Sequence, residues 1–300
     1  MDAKTAFENT FAEVKRHIAG NEDTIKLMFI ALVANGHVLL EGVPGVAKTT
    51  MSKALAEAVS ADFKRIQGMP DLSIEDIIGR TYVDEDNSVR LKKGPIFTNL
   101  LLIDELNRVQ PKTTTSLLEA LEERQVTVGT TTLPLEKPFI ALATQNPLNI
   151  EGTTSLPKVL ADRFLMRLGV TYPKLEDEMA MMGIKERPEQ PVKKVLSTSD
   201  ILSMQEQVQS VAVPEDVRRY IVDIVRATRE DIHVVMGGSP RADISFMVCG
   251  RAKALIEGRG SVSVDDVKFL AKPVLSHRIL VRATGGIGVN GVIDGIVATL

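Results

Sequence analysis

The run HVLLEGVPGVAKTT, residues 37–50, constrains this chain more than any other stretch. A short apolar segment ended by glycine reads as a buried strand. The residues after it carry Met51, Leu55 and Val59 at helical spacing, which predicts a helix from about Lys48 to Ala61. Between strand and helix, Gly42, Val43, Pro44, Gly45, Val46, Ala47, Lys48 and Thr49 follow the pattern G-x-x-x-x-G-K-[ST], with one exception. Ala47 stands where the last glycine belongs. Such a loop wraps a phosphate chain because successive backbone N–H groups at a helix start point inward and the helix dipole adds positive potential. Gly42 and Gly45 permit the close turn. Lys48 brings a charge to the outer phosphates, and the hydroxyl of Thr49, with Thr50 next to it in the first turn, suits Mg²⁺. The expectation for Ala47 is a negative φ, where the helix has already begun and a methyl group costs little.

A second motif supports the first. NLLLIDELNR ends a strongly apolar strand in Asp104 and Glu105. The C-terminal edge of a parallel sheet is where open α/β folds bind ligands. There Asp104 suits the Mg²⁺ shell and Glu105 the activation of a water against a γ-phosphate. PFIALATQNP is a third strand ending in Thr144, Gln145 and Asn146; a carboxamide there is able to position the water, and Asn before Pro is also a common turn. Arg163 lies beside Asp162 in LADRFL, which alone suggests a surface ion pair. Arg241 falls in the first turn of a capped helix, GGSPRAD, where a cation opposes the dipole; an anionic partner and a satisfied surface arginine both fit.

Strand signals at HVLLEG, FKRIQ, NLLLIDE, PFIALATQN and FLMRLGVTYP alternate with helical segments, implying a mainly parallel sheet covered on both faces. Before them, Phe7, Phe11, Val14 and Ile18 predict an amphipathic helix closed by Gly20, and a second helix runs from about Asp23 to Asn35 with Gly36 as C-cap. After Tyr172–Pro173 the chain reads as helices with no convincing strand. Pro214 opens one, Ser239–Pro240 the next, and Ser263 and Asp266 have capping-box spacing. The expected organisation is an α/β domain over 1–173 and a smaller all-α domain over 174–300, with KERPEQPVKK as the best linker.

Length is ample for a large core, and 44% hydrophobic with 25% charged residues is ordinary for a soluble protein. A net charge of −3 offers no global field for nucleic acid. The start lacks a signal-peptide core and no run is long enough to span a bilayer. The single Cys249, expected to be a small buried apolar residue, excludes an internal disulfide, so a reducing cytoplasm is expected.

Together GVPGVAKT, LLLIDELNRVQPKT, LLEALEERQVTVG, IALATQNP, LPKVLADRF and GGSPRA resemble, in order and over nearly the whole chain, the motifs of MoxR-family AAA+ ATPases of the helix-2-insert branch. Such loops commonly carry alanine before the lysine. The resemblance implies an AAA+ P-loop core followed by a helical lid, ATP and Mg²⁺ as cofactors, and assembly into a ring, expected to be a hexamer, that remodels a protein client. It makes Asn146 the sensor 1 residue and Arg163 the arginine finger, with Arg167 next in line. It makes Arg241 the sensor 2 residue brought to the γ-phosphate by the lid, and puts Ile18, Ala19, Gly20 and Asn21 at the adenine pocket. Met69 to Phe97 and the ERQVTVGTTTLPLEKP hairpin resemble the branch's two insertions, whose loops commonly face the pore. NIEGTTSLPKV departs from the family's aromatic–proline wording ahead of the finger helix. With no D-x-S-x-S pattern in the chain, a von Willebrand factor A domain partner is expected to be a separate protein. Two other classes stay open. One is a DNA-directed motor of the same branch, against which the charge argues; the other is a nucleotide-gated module with little hydrolysis, against which Glu105 argues.

Overall fold

The computed structural model describes residues 1–146, 156–186, 188, 190–282 and 286–300, with the side chains of all but Val89, Ser116 and Lys185. Two helices, α1 (Ala3–Lys15) and α2 (Glu22–Val33), precede β1 (Val38–Glu41), and α3 (Lys48–Ala58) and β2 (Phe63–Gln67) follow. A first insertion holds α4 (Ile74–Ile78) and the hairpin β3 (Gly79–Val83) and β4 (Val89–Lys93). Next come β5 (Leu100–Asp104), α5 (Pro111–Glu123), a second hairpin of β6 (Gln125–Val128) and β7 (Thr131–Pro134), then β8 (Ile140–Gln145). The short α6 (Lys158–Ala161) leads into β9 (Met166–Gly169) and α7 (Leu175–Glu186). The remainder is α8 (Thr198–Gln207), α9 (Glu215–Glu230), β10 (Val234–Met236), α10 (Pro240–Ile256), α11 (Val264–Leu275), β11 (Leu280–Val281) and α12 (Val289–Thr299).

Five strands form one sheet in the order β2-β5-β8-β1-β9, every pair parallel. The central strands β1, β5 and β8 are mostly apolar because both of their faces are covered, and the two-residue period sorts their side chains. Val38, Leu40, Leu100, Leu102, Ile140 and Leu142 join the core beneath α1–α3 and the C-terminal helices. Leu39, Leu101, Ile103, Ala141 and Ala143 join the core under α5 and the inserted segments. Strand β8 lies between β1 and β5. Its C-terminal end therefore separates the glycine loop after β1 from the acidic pair after β5.

The segment after residue 173 is mostly helical, as expected, with one correction. β10 and β11 pair as a short antiparallel ladder. Strands of three and two residues carry too little pattern to be read from sequence. The expected caps are present: the Ser239 hydroxyl accepts from the Arg241 N–H, and Ser263 and Asp266 form a full capping box. α10 packs on α1 and α2 as well as on α9 and α11, so the first two helices are part of the same packing as the last ones. Cys249 is fully buried on α10, and burial pushes its thiol up to about 12.

One local expectation is corrected. α2 ends with Asn35, not Gly36, in the left-handed conformation (φ 54°), which asparagine tolerates. Gly36 is required for another reason: a Cβ there would lie 2.2 Å from the Leu165 side chain. KERPEQPVKK, in which Arg187 and Glu189 lie outside the described residues, is bonded to the rest of the fold towards its C-terminal end. The Lys193 N–H donates to Glu13 (2.9 Å), and those of Val195 and Leu196 just beyond it to the Ala58 carbonyl. Most of NIEGTTSLPKV lies outside the described residues too.

Candidate nucleotide site

The glycine loop folds tightly against the sheet. The Gly42 N–H donates to the Gln145 carbonyl (3.2 Å), and a Cβ on Gly42 would meet the Val170 carbonyl oxygen at 2.3 Å. Gly45 has φ 87°. Ala47 has φ 60°, so the expected negative φ is wrong. The helix begins one residue later, at Lys48, and alternation of left-handed residues turns the loop's N–H groups to one side, which is what an anion cradle needs. No side chain caps α3, leaving its first-turn donors to the loop's concave side. The Lys48 ammonium donates to the Gly42 carbonyl and to that of Val43 (3.0 Å). Burial lowers its pKa, opposed by Asp104, Glu105 and Glu41.

Across the end of β8 stands the acidic pair. Asp104 is buried, and its Oδ1 accepts from the Thr144 hydroxyl (3.1 Å). That hydroxyl in turn accepts the Glu105 N–H (2.9 Å), which holds Glu105 in a left-handed conformation (φ 53°). Asp104 Oδ2 faces Thr49 Oγ1 at 3.4 Å and takes the Nε–H of Arg65 at 2.6 Å. Glu105 Oε2 accepts from Gln67 (3.1 Å) and Arg108 (2.8 Å). A hydroxyl and a carboxylate converging on one point are hard oxygen donors of the kind Mg²⁺ takes when phosphates and water supply the rest. No cluster of three or more metal-ligating side chains exists among the described residues, so those further donors would have to come from the nucleotide and water.

A cavity of 1410 Å³ opens beside the loop. Gly45, Val46, Ala47, Thr49 and Thr50 form one wall; Arg16, His17, Ile18, Ala19 and Asn21 form another, and Met181 and Ile184 of α7 close a third. Its volume is ample for a nucleotide-sized ligand, and Ile18, Val46, Met181 and Ile184 give it apolar wall beside the glycine loop. Gly20 is not part of the lining; its φ of 71° favours glycine, and a Cβ there would displace the Asp177 carboxylate, 2.7 Å away. Asn146 follows β8 half-buried, and Asn107 Nδ2 donates to its carbonyl (3.5 Å).

The arginines lie elsewhere. Arg163 and Arg241 both pair with Glu122 at the end of α5, at 2.9 and 2.7 Å. Arg241 is therefore placed beside Arg163, not on the cavity wall. The cause is the docking of the lid: Arg278 (3.0 Å) and Ser239 (3.2 Å) both bind Asp162, the residue before Arg163. Arg167 points inward from β9 to Glu41 (3.1 Å), and Gln145 binds the same carboxylate (3.0 Å). As an alternative finger it is ill placed.

These features have close counterparts. A model of the "ATPase family associated with various cellular activities (AAA)" matches residues 37–166, an AAA lid model matches 226–287, and a model of the MoxR domain of MoxR–vWA–β-propeller ternary systems matches 5–67. The chain is 42% identical to the uncharacterized protein YeaC of Bacillus subtilis, over 90% of this chain and 85% of that one. It is 40% identical to chaperone MoxR1 of Mycobacterium tuberculosis, over 91% of this chain and 75% of that one. The chain belongs to the MoxR family of AAA+ ATPases. A crystal structure from Cytophaga hutchinsonii, provisionally assigned as an ATPase, superposes with a TM-score of 0.92 at 35% identity, covering 99% and 95% of the two chains.

Within this MoxR-family site, Thr49 faces Asp104, and Lys48 lies within the field of Asp104 and Glu105. Thr144, Arg65 and Glu122 were not singled out from sequence for the contacts they make. For Arg65 a signal existed. Phe63, Arg65 and Gln67 alternate along β2, and a charged residue in a strand next to an acidic strand end has few other partners.

Proposed function

We propose that the chain binds ATP with Mg²⁺ at the Gly42–Thr50 loop and hydrolyses it within an oligomeric ring, expected to be a hexamer, to remodel a protein client. The observation that carries this is the convergence of Lys48, Thr49, Asp104 and Glu105 around the end of β8, with the arginine pair held off the cavity on Glu122. When bound, Mg²⁺ draws charge from the phosphates and neutralises what develops on them. Thr49 and Asp104 hold it. Lys48 leaves the loop carbonyls for the outer phosphates, and the loop N–H groups wrap the rest. Glu105 accepts the proton of the attacking water, which Asn146 helps to orient. Arg163, with Arg241 beside it, meets the γ-phosphate of the neighbouring subunit, because both sit away from the cavity of their own.

The relative named as a chaperone favours a protein client, and the match to the MoxR domain of vWA-containing systems favours a separate von Willebrand factor A domain protein as partner. Among the described residues no helix is long and apolar enough to cross a membrane. A Glu105→Gln trap, which keeps ATP bound, should retain a client in a pull-down. If that trap binds ATP and captures no protein while the purified chain binds DNA in a salt-dependent way, the client is nucleic acid instead.

A further inference from the structure

Asp104 is buried and needs a counterion when no metal is near. Lys48 does not serve, since its ammonium is turned to the Gly42 and Val43 carbonyls. Arg65 does. Its Nε–H lies 2.6 Å from Asp104 Oδ2, and its Nη2 donates to Gln67 Oε1 at 2.9 Å, so the fork is fixed at two points. Oδ1 is already taken by Thr144, and Oδ2 is the oxygen that faces Thr49. Arg65 thus occupies the one Asp104 oxygen that a metal between Thr49 and Asp104 would use. The arginine side chain is 51% exposed, which leaves it room to swing out, whereas Asp104 at 9% has none.

We propose that Arg65 is a stand-in cation for the metal: it holds Asp104 Oδ2 in the metal-free protein and must be displaced for Mg²⁺ to enter with the nucleotide. The guanidinium and the ion compete for the same lone pairs. Arg65 therefore raises the Mg²⁺ concentration the site requires and disfavours metal loading without nucleotide. This rests on Asp104 as a metal ligand, as assigned above.

The test is binding, not turnover. A fluorescent ADP analogue is titrated onto the full chain in EDTA and then across a Mg²⁺ series, and the half-saturating Mg²⁺ is read. Arg65→Gln should lower it about tenfold, the size of one charge-assisted hydrogen bond. Arg65→Lys, keeping the charge without the fork, should lower it less. Lys64→Gln removes an equal charge from the preceding residue of β2, whose ammonium donates to the Phe97 carbonyl (2.9 Å), and should leave the midpoint in place. No shift in Arg65→Gln, or an equal shift in Lys64→Gln, overturns the competition. The supporting assignment is checked apart: if Asp104→Asn responds to Mg²⁺ as the wild type does, Asp104 is not the ligand and the stand-in role falls with it.

Discussion

Ala47→Gly measures whether the loop is built as described. An L-residue in the left-handed region costs about 1–2 kcal/mol, and Ala47 lies there with φ 60°. Glycine removes that strain and adds about 0.5–1 kcal/mol of unfolded-state entropy to be lost on folding. The difference is a net gain of about 0.5–1 kcal/mol, opposite in sign to what a negative φ would give. At a urea dependence near 3 kcal/mol/M for a chain of this size, the unfolding midpoint should rise by about 0.2–0.3 M. Nucleotide affinity should change less than about twofold, because glycine reaches the same φ and the N–H groups keep their direction. A midpoint that falls by a similar amount would refute the left-handed Ala47 and restore a helix starting at that residue.

Three further outcomes follow from single contacts. Thr144→Val keeps the shape but strands Asp104 Oδ1 and the Glu105 N–H, so it should cost about 1–3 kcal/mol in a denaturation midpoint and lower turnover through misplacement of Glu105. Arg241→Ala should leave the mutant's own nucleotide affinity near wild type and reduce turnover; a large loss of affinity would return Arg241 to the cavity of its own subunit. In the lid, burial would raise the Asp266 carboxyl, but hydrogen bonds from Arg259, Lys253 and the Ser263 N–H outweigh it and bring it down to about 2. Its ordinary value is 3.8, so its contribution to stability is full above about pH 4 and fades as pH falls through 2. Asp266→Asn should flatten stability over that window, seen as a denaturation midpoint followed from pH 5 to 2.

The middle of the sheet is legible because central parallel strands covered on both faces read as short apolar runs, as β1, β5 and β8 do, while the edge strand β2 is partly polar. The loop and the acidic pair were legible because phosphate and metal chemistry fix residue type and spacing within one short segment. What stayed hidden depends on contacts between distant segments. Glu122 gains its meaning only when Arg278 and Ser239 bind Asp162 and so bring Arg241 to the end of α5 beside Arg163. The φ of Ala47 is hidden because the residue directly before a helix takes either helical or left-handed backbone, a choice that periodicity does not resolve. β10 and β11 are held by their ladder and not by any pattern of their own.

The proposal that each active site is shared between two subunits is tested most directly by mixing two inactive variants. Arg163→Ala should bind ATP almost normally and lose turnover by roughly 10³-fold, while Lys48→Ala should fail to bind nucleotide. In a mixed assembly some interfaces join an intact Arg163 from one subunit to an intact Lys48, Asp104 and Glu105 of the next. ATPase activity should therefore reappear on mixing and be highest near equal amounts of the two variants. Two variants that co-assemble and remain inactive at every ratio would contradict a site built across subunits, and would leave Arg163 tied to Glu122 as a structural ion pair alone.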